Sequence, residues 1–259
     1  AAVYAFARRA DDIADEGVEA PSIRQDSLRV WQQRLHEAAA RELTLPERAS
    51  EDDLLFLALG HTIRVHALPV SLFDDLLSAF GQDTMKSRYD SWDEVLDYCR
   101  RSASPVGRLV LRIAGHVEPA LDRSSDALCT ALQLTNFWQD FGRDWRAGRL
   151  YVPRDVQHEC GTDLRDLDGE RMSTAWVRAI HACAGVTRAE FDQGRTVCEG
   201  VKGRLGLELR LTWHGGRRVL EMVEQNANRL VHYRPTLGAR DLPRLLWRTA
   251  TWRNGSRNG

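Results

Sequence analysis

Two acidic runs hold the residue types from which this chain could build chemistry. The first is Arg8-Arg9-Ala10-Asp11-Asp12-Ile13-Ala14-Asp15-Glu16. On a helix, Asp11 and Asp15 stand i,i+4, about 40° apart on one face, and Arg8 shares that face one turn earlier. Two stacked carboxylates disfavour an isolated helix by roughly a few tenths of a kcal/mol, and a cation held between them reverses that sign. The second run is Gln133 to Trp145. There Asn136, Asp140 and Asp144 stand i, i+4 and i+8, a ladder about 12 Å long. Phe137, Trp138, Phe141 and Trp145 flank it, too many large aromatics for a purely solvated face.

Oxygen donors of this kind suit a hard cation. Magnesium takes few protein carboxylates, keeps waters, and completes its shell with substrate phosphate oxygens. Two ladders facing one cavity would hold a small cluster of magnesium ions on a single diphosphate. Metals and arginines would then stabilise the leaving group, and an apolar pocket would shelter the carbocation left behind. The bland alternative is a solvated helix face, which suffices for a lone D-x-x-x-D pair. The two ladders together, with Arg8 beside the first, favour the metal.

The elements that must position these residues read as helices nearly throughout. Leu28, Trp31, Leu35 and Ala39 form one stripe; Leu54, Leu55, Ala58, His61, Thr62 and Val65 form another; Leu72, Leu76, Leu77 and Phe80 follow. Trp92 to Ala114 should be helical with a break at Ser104-Pro105, because proline lacks the donor and crowds the preceding turn. Leu121 to Trp145 reads as one long helix ending near Gly148, and the stripes around Leu54, Val110 and Ile113 are expected in the core first, with lining of a hydrocarbon pocket as the alternative. Trp138 and Phe141 are expected to pack rather than to face a cation. One all-α domain over residues 1–252 and a disordered 253–259 tail is the economical division.

Composition removes several function classes. The 259 residues carry a formal charge of −1, which gives no electrostatic case for nucleic acid. Lys86 and Lys202 are the sole lysines among the basic residues. Cys99, Cys129, Cys160, Cys183 and Cys198 are scattered and form no C-x-x-C pair, which fits a reducing cytoplasm rather than a disulfide framework or zinc site. The most apolar run, Leu54 to Val70, is interrupted by His61, Arg64 and His66, so no span is expected. The chain opens at Ala1 inside a helical pattern, and a preceding segment is expected.

Tyr4 to Asp15 resembles the first aspartate-rich motif of the squalene and phytoene synthase family. Asn136 to Asp144, with Gly148-Arg149-Leu150-Tyr151-Val152-Pro153 after it, resembles the second motif and the flap behind it. The resemblance covers essentially the whole chain. It implies the all-helical isoprenoid synthase fold, a single helical bundle around a central cavity. Within the family, Tyr98 to Gly107, the N-F-W-Q-D wording and His232-Tyr233-Arg234-Pro235-Thr236-Leu237 are most similar to the hydroxysqualene synthase branch of hopanoid biosynthesis. That branch ionises presqualene diphosphate, rearranges the cation and quenches it with water, with no nicotinamide cofactor. One departure stands out. Where squalene and dehydrosqualene synthases resemble Y-C-x-x-V-A-G-x-V-G with a functional tyrosine, this chain has Arg100 and Arg101.

The resemblance implies that Asp11, Asp15, Asn136, Asp140 and Asp144 are the metal ligands or their immediate support, with Asp12 and Glu16 behind them. It implies that Arg8 grips diphosphate, that Arg149 and Tyr151 close over it, and that Tyr4 and Gln133 line the substrate. Arg100 and Arg101 would add a second diphosphate contact or position water, or else occupy a solvated face. It also implies loose contact with the inner membrane and coupling to the enzymes before and after it in squalene synthesis. Two alternatives stay open: head-to-head condensation of two prenyl diphosphates to squalene or phytoene, and a non-catalytic helical partner of the same fold.

Overall fold

The computed structural model describes residues 1–15, 19–41, 44, 48–169 and 171–252. Glu16, the Leu45-Pro46 loop and the 253–259 tail lie outside the described residues. The helices are α1 (Ala2–Asp15), α2 (Pro21–Ala40), α3 (Glu51–His66), α4 (Val70–Asp83), α5 (Trp92–Ser102), α6 (Ser104–Ile113), α7 (Pro119–Gln139), α8 (Phe141–Arg146), α9 (Arg154–Cys160), α10 (Thr174–Gly200), α11 (Gly203–Gln225) and α12 (Leu242–Ala250). Among the described residues there is no strand, only an isolated bridge between Arg88 and Leu150. The all-α expectation stands.

Local sequence explains several boundaries. Proline opens α2, α6, α7 and α12 in the first turn, where its missing N–H would lack a helical partner anyway. Ser50 and Asp53 form a reciprocal capping box at the start of α3. The expected break falls at Ala103, with Pro105 in the first turn of α6.

The chain packs as two compact units, residues 1–86 with 100–117, and residues 87–99 with 118–259. In the first, α1 presents Phe6, Ala10 and Ala14, spaced i, i+4 and i+8 and at most 1% exposed, to a core built from α2, α3, α4 and α6. Phe6 stacks on Trp31 at 5.9 Å and meets Phe56 and Phe73 edge-on at 6.1 and 5.5 Å. Each such ring removed from water contributes about 1.5–3 kcal/mol. One face, therefore, anchors α1 and leaves the other to its charged residues.

In the second unit α7 lies against α10 so closely that a Cβ on Gly194 would sit 2.7 Å from the Leu128 backbone. At that crossing the buried Ser124 hydroxyl donates to the Gln193 carbonyl at 3.0 Å and accepts from the Val197 N–H at 2.8 Å. Trp138 is fully buried, its indole N–H donating to Thr187 at 2.9 Å, and Phe141 packs edge-on against Trp176. Both aromatics are packing residues, as expected.

Three expectations need correction. The α3 stripe lies on the wrong face: Phe56, Leu59 and Ile63 are buried, whereas Leu54 is 51% and Val65 62% exposed. That helix is apolar nearly all round, so periodicity does not choose the face; the aromatic cluster does. The Leu121–Trp145 run is two helices that meet at Asp140, whose φ of −91° and ψ of 8° end the regular α geometry. Val110 and Ile113 are 39% and 40% exposed rather than core.

Candidate active site

In the first unit, Arg8 forks between Asp11 (3.2 Å) and Asp12 (2.8 Å), one turn along the exposed face of α1. Asp15 ends the helix, one turn beyond Asp11. Tyr4, Arg8 and Asp11 form one side of a cavity of about 580 Å³. Leu76, Phe80, Val106, Leu109, Val110 and Ile113 supply its apolar lining. A carboxylate and a guanidinium thus stand at the edge of a space that is otherwise hydrocarbon. The partial exposure of Val110 and Ile113 has its reason here, since they face this cavity.

In the second unit, Asp140 and Asp144 are sheltered, each side chain 16% exposed. Asp140 accepts from Arg234 through both carboxylate oxygens and lies 3.7 Å from Arg143. The hydrogen bond to Asp140 holds the Arg234 guanidinium above its ordinary range, against the effect of burial. At Asp144, the Arg149 Nε lies 3.7 Å from the carboxylate, and the Arg149 backbone N–H donates to the Asp144 carbonyl at 2.7 Å. Asn136, one turn before Asp140, is exposed and borders a different cavity, of about 400 Å³, with Gln139, Leu132, Leu211, Leu242 and Leu245. Gln133 is half-buried on the same helix.

The segment behind the second run is strapped in place. Gly148 takes a φ of +80°, the left-handed region that favours glycine. Leu150 N–H donates to Ser87, Arg154 N–H donates to Tyr89, and Arg88 donates to the Gly148 carbonyl. Tyr151 stacks on Phe137 with ring centroids 3.7 Å apart and planes 6° off parallel, and pairs with Tyr89 at 5.5 Å. The Tyr151 ring is a packing element of the flap.

Arg234 is the residue whose role sequence reasoning missed. Its segment is docked on the end of α7 and on α8: Gln139 donates to the Pro235 carbonyl at 2.6 Å, and Arg146 donates to the Val231 carbonyl at 2.8 Å. A Cβ on Gly142 would lie 2.1 Å from that same Val231 oxygen, so only glycine admits the docking. The signal was present in the sequence as a glycine inside the acidic run and an H-Y-R-P-T-L segment far downstream.

Arg101 turns out to be engaged within the first unit. It donates to Ser78 at 3.0 Å and to Gln82 at 2.6 Å, both on α4. Arg100, beside it, is exposed.

The squalene/phytoene synthase family profile matches residues 1–241. The chain belongs to that family. It is 34% identical over 238 residues to a hydroxysqualene synthase of Rhodopseudomonas palustris, covering 90% of this chain and 77% of the relative. A hydroxysqualene synthase of Zymomonas mobilis is 36% identical over 80% of this chain and 67% of its own length. Among solved structures, a squalene synthase from Alicyclobacillus acidocaldarius superposes with a TM-score of 0.79 at 38% identity, covering 87% of this chain and 82% of the other. The fold is the isoprenoid synthase fold, and the protein is an enzyme of the squalene/phytoene synthase family. Members of this family bind diphosphates and depend on a metal.

The donor set fits magnesium rather than a softer ion, because every candidate ligand offers oxygen. No group of three or more Asp, Glu, His or Cys stands ready as a metal cage among the described residues.

Proposed function

We propose that this enzyme converts presqualene diphosphate to hydroxysqualene in a magnesium-dependent reaction that releases diphosphate. The observation that carries the reading is the 580 Å³ apolar cavity with Arg8 and Asp11 at its edge, a place for a charged head and a hydrocarbon tail in contact. The identities of 34% and 36% to hydroxysqualene synthases support the choice of product.

In this reading Asp11 and Asp15 on one run, and Asn136, Asp140 and Asp144 on the other, are the residues that would hold magnesium. Bound magnesium supplies Lewis-acid stabilisation of the leaving diphosphate. Arg8, Arg149 and Arg234 add guanidinium contacts that match phosphate oxygens. The carbon–oxygen bond breaks heterolytically, and its electron pair leaves with the diphosphate. The cyclopropylcarbinyl cation rearranges within walls such as Phe80, Val110 and Ile113, which offer no nucleophile. One water adds to the cation and loses a proton, so the balance requires no hydride donor. Tyr4 and Gln133 line the substrate, and the Tyr151 stack fixes the flap that carries Arg149.

A second reading, condensation of two prenyl diphosphates to squalene, is favoured by the 38% identity to a squalene synthase. Incubation with presqualene diphosphate or farnesyl diphosphate, each with and without magnesium and NADPH, separates the two. Hydroxysqualene from presqualene diphosphate without NADPH supports the first. Consumption of farnesyl diphosphate while presqualene diphosphate stays intact supports the second and removes the first.

A further inference from the structure

Asp140 stands where α7 gives way to α8, and its carboxylate already carries a cation. Arg234 donates to both oxygens, from Nε to Oδ1 and from Nη2 to Oδ2 at 3.2 Å, and Arg143 lies 3.7 Å from Oδ1. The Asp140 side chain is 16% exposed and that of Arg234 38%, against 40% and 53% for Asp11 and Arg8. A sheltered, two-pronged pair holds its geometry, whereas an exposed one contributes little. A magnesium ion on Asp140 would need carboxylate oxygen at about 2.0–2.1 Å in near-octahedral geometry. A guanidinium hydrogen-bonded to the same oxygens would then stand roughly 4–5 Å from it, where like charges repel strongly. The two cations are therefore competitors for one carboxylate. The backbone around Arg234 is pinned on both sides, by Arg146 on the Val231 carbonyl and Gln139 on the Pro235 carbonyl. The proline after Arg234 also holds it to extended geometry. What is free to move is the long, partly exposed side chain.

We propose that Arg234 is an exchanging residue: it holds Asp140 until the divalent ion arrives, then yields the carboxylate and turns its guanidinium to the diphosphate oxygens. The inference rests on the magnesium reading above and deepens it. A fork that fits a carboxylate also fits a phosphate, so Arg234 loses one two-pronged partner and gains another. The exchange couples the two ligands. Metal alone must displace Arg234 with nothing to receive it, whereas metal and diphosphate together leave every charge partnered. Each ligand therefore binds better in the presence of the other.

The test measures binding of manganese(II), a hard divalent ion visible by electron paramagnetic resonance, to the full chain. The ion is offered alone and as its complex with inorganic diphosphate. Arg234→Gln should bind manganese alone on the order of tenfold more tightly than the unsubstituted protein, and the manganese–diphosphate complex on the order of tenfold more weakly. Arg234→Lys keeps the charge but loses the fork, so it too should bind manganese alone more tightly. Both variants should keep the helical circular dichroism of the unsubstituted protein. Opposite signs for the two ligands separate an exchange from a loss of structure, which would weaken both. Tighter manganese binding in Arg234→Gln alone is the effect of a deleted charge and overturns the exchange. Weaker manganese binding in both variants, or unaltered binding of the diphosphate complex, overturns it as well. Manganese binding that Asp140→Asn leaves unchanged removes the exchange together with the magnesium reading of this carboxylate.

Discussion

Arg234 grips both carboxylate oxygens of Asp140 across 94 residues of chain, at the point where α7 gives way to α8. The pair joins the second acidic run to a segment that periodicity alone would leave as an unassigned loop. Arg234→Ala removes a guanidinium from beside the proposed diphosphate and leaves a sheltered carboxylate without its main partner. We expect kcat/KM to fall roughly 100-fold, the usual scale for losing a preorganised charge-stabilising group. Arg234→Lys should recover part of that loss, because a lysine keeps the charge but not the two-pronged contact. Unchanged kinetics in both variants would remove Arg234 from the site.

Gly142 is the hinge of the same arrangement. Its Cβ position lies 2.1 Å from the Val231 oxygen and 2.7 Å from the Leu230 oxygen, so Gly142→Ala must push the backbone of the docked segment away. A cost of about 1–3 kcal/mol is expected, read as a lowered melting temperature at ~2–4 °C per kcal/mol for a chain of this size. Activity should fall with it, since Arg234 moves along with Val231. A variant of full stability and activity would show that the close approach is dispensable.

Val110 gives the complementary case, a residue whose loss should affect substrate rather than fold. It is 39% exposed and lines the cavity beside Asp11, so Val110→Trp fills hydrocarbon space without emptying any core. Stability should stay within about 0.5 kcal/mol. The expected kinetic effect is a loss of about tenfold or more in kcat/KM for the long substrate, measured by steady-state diphosphate release. Equal activity in the Trp variant would place the hydrocarbon chain elsewhere.

Arg101 is expected to behave as a structural residue. Its hydrogen bonds to Ser78 and Gln82 tie the end of α5 to α4. Arg101→Ala should cost about 1–3 kcal/mol of stability, the range for bonds with one charged partner, while kcat stays within about threefold. A hundredfold loss of activity at an unchanged melting temperature would return Arg101 to the diphosphate.

These cases show where sequence reasoning reached and where it stopped. The face of α1 was legible because Phe6, Ala10 and Ala14 on one side and Arg8, Asp11 and Asp15 on the other follow one helical period. The α3 face was not, because Leu54, Phe56, Leu59, Ile63 and Val65 are apolar around the helix, and only the rings of Phe6 and Trp31 decide which side is covered. Val110 and Ile113 look like core for a related reason: a residue lining an apolar cavity has the same chemistry as one filling it. The break at Asp140 escaped because no proline marks it. Arg234 was quoted as part of a motif, but its partner lies too far along the chain for any local pattern to name.

The central claim is that the acidic runs serve a metal-assisted ionisation that ends in capture by water. The direct measurement is turnover of presqualene diphosphate in water enriched in heavy oxygen, across a magnesium titration, with mass analysis of the lipid product. The account predicts hydroxysqualene carrying one solvent-derived oxygen, formed only with magnesium and reduced by orders of magnitude in Asp11→Asn and Asp140→Asn. Product formed equally well without magnesium, or a hydrocarbon that carries no solvent oxygen, would contradict it.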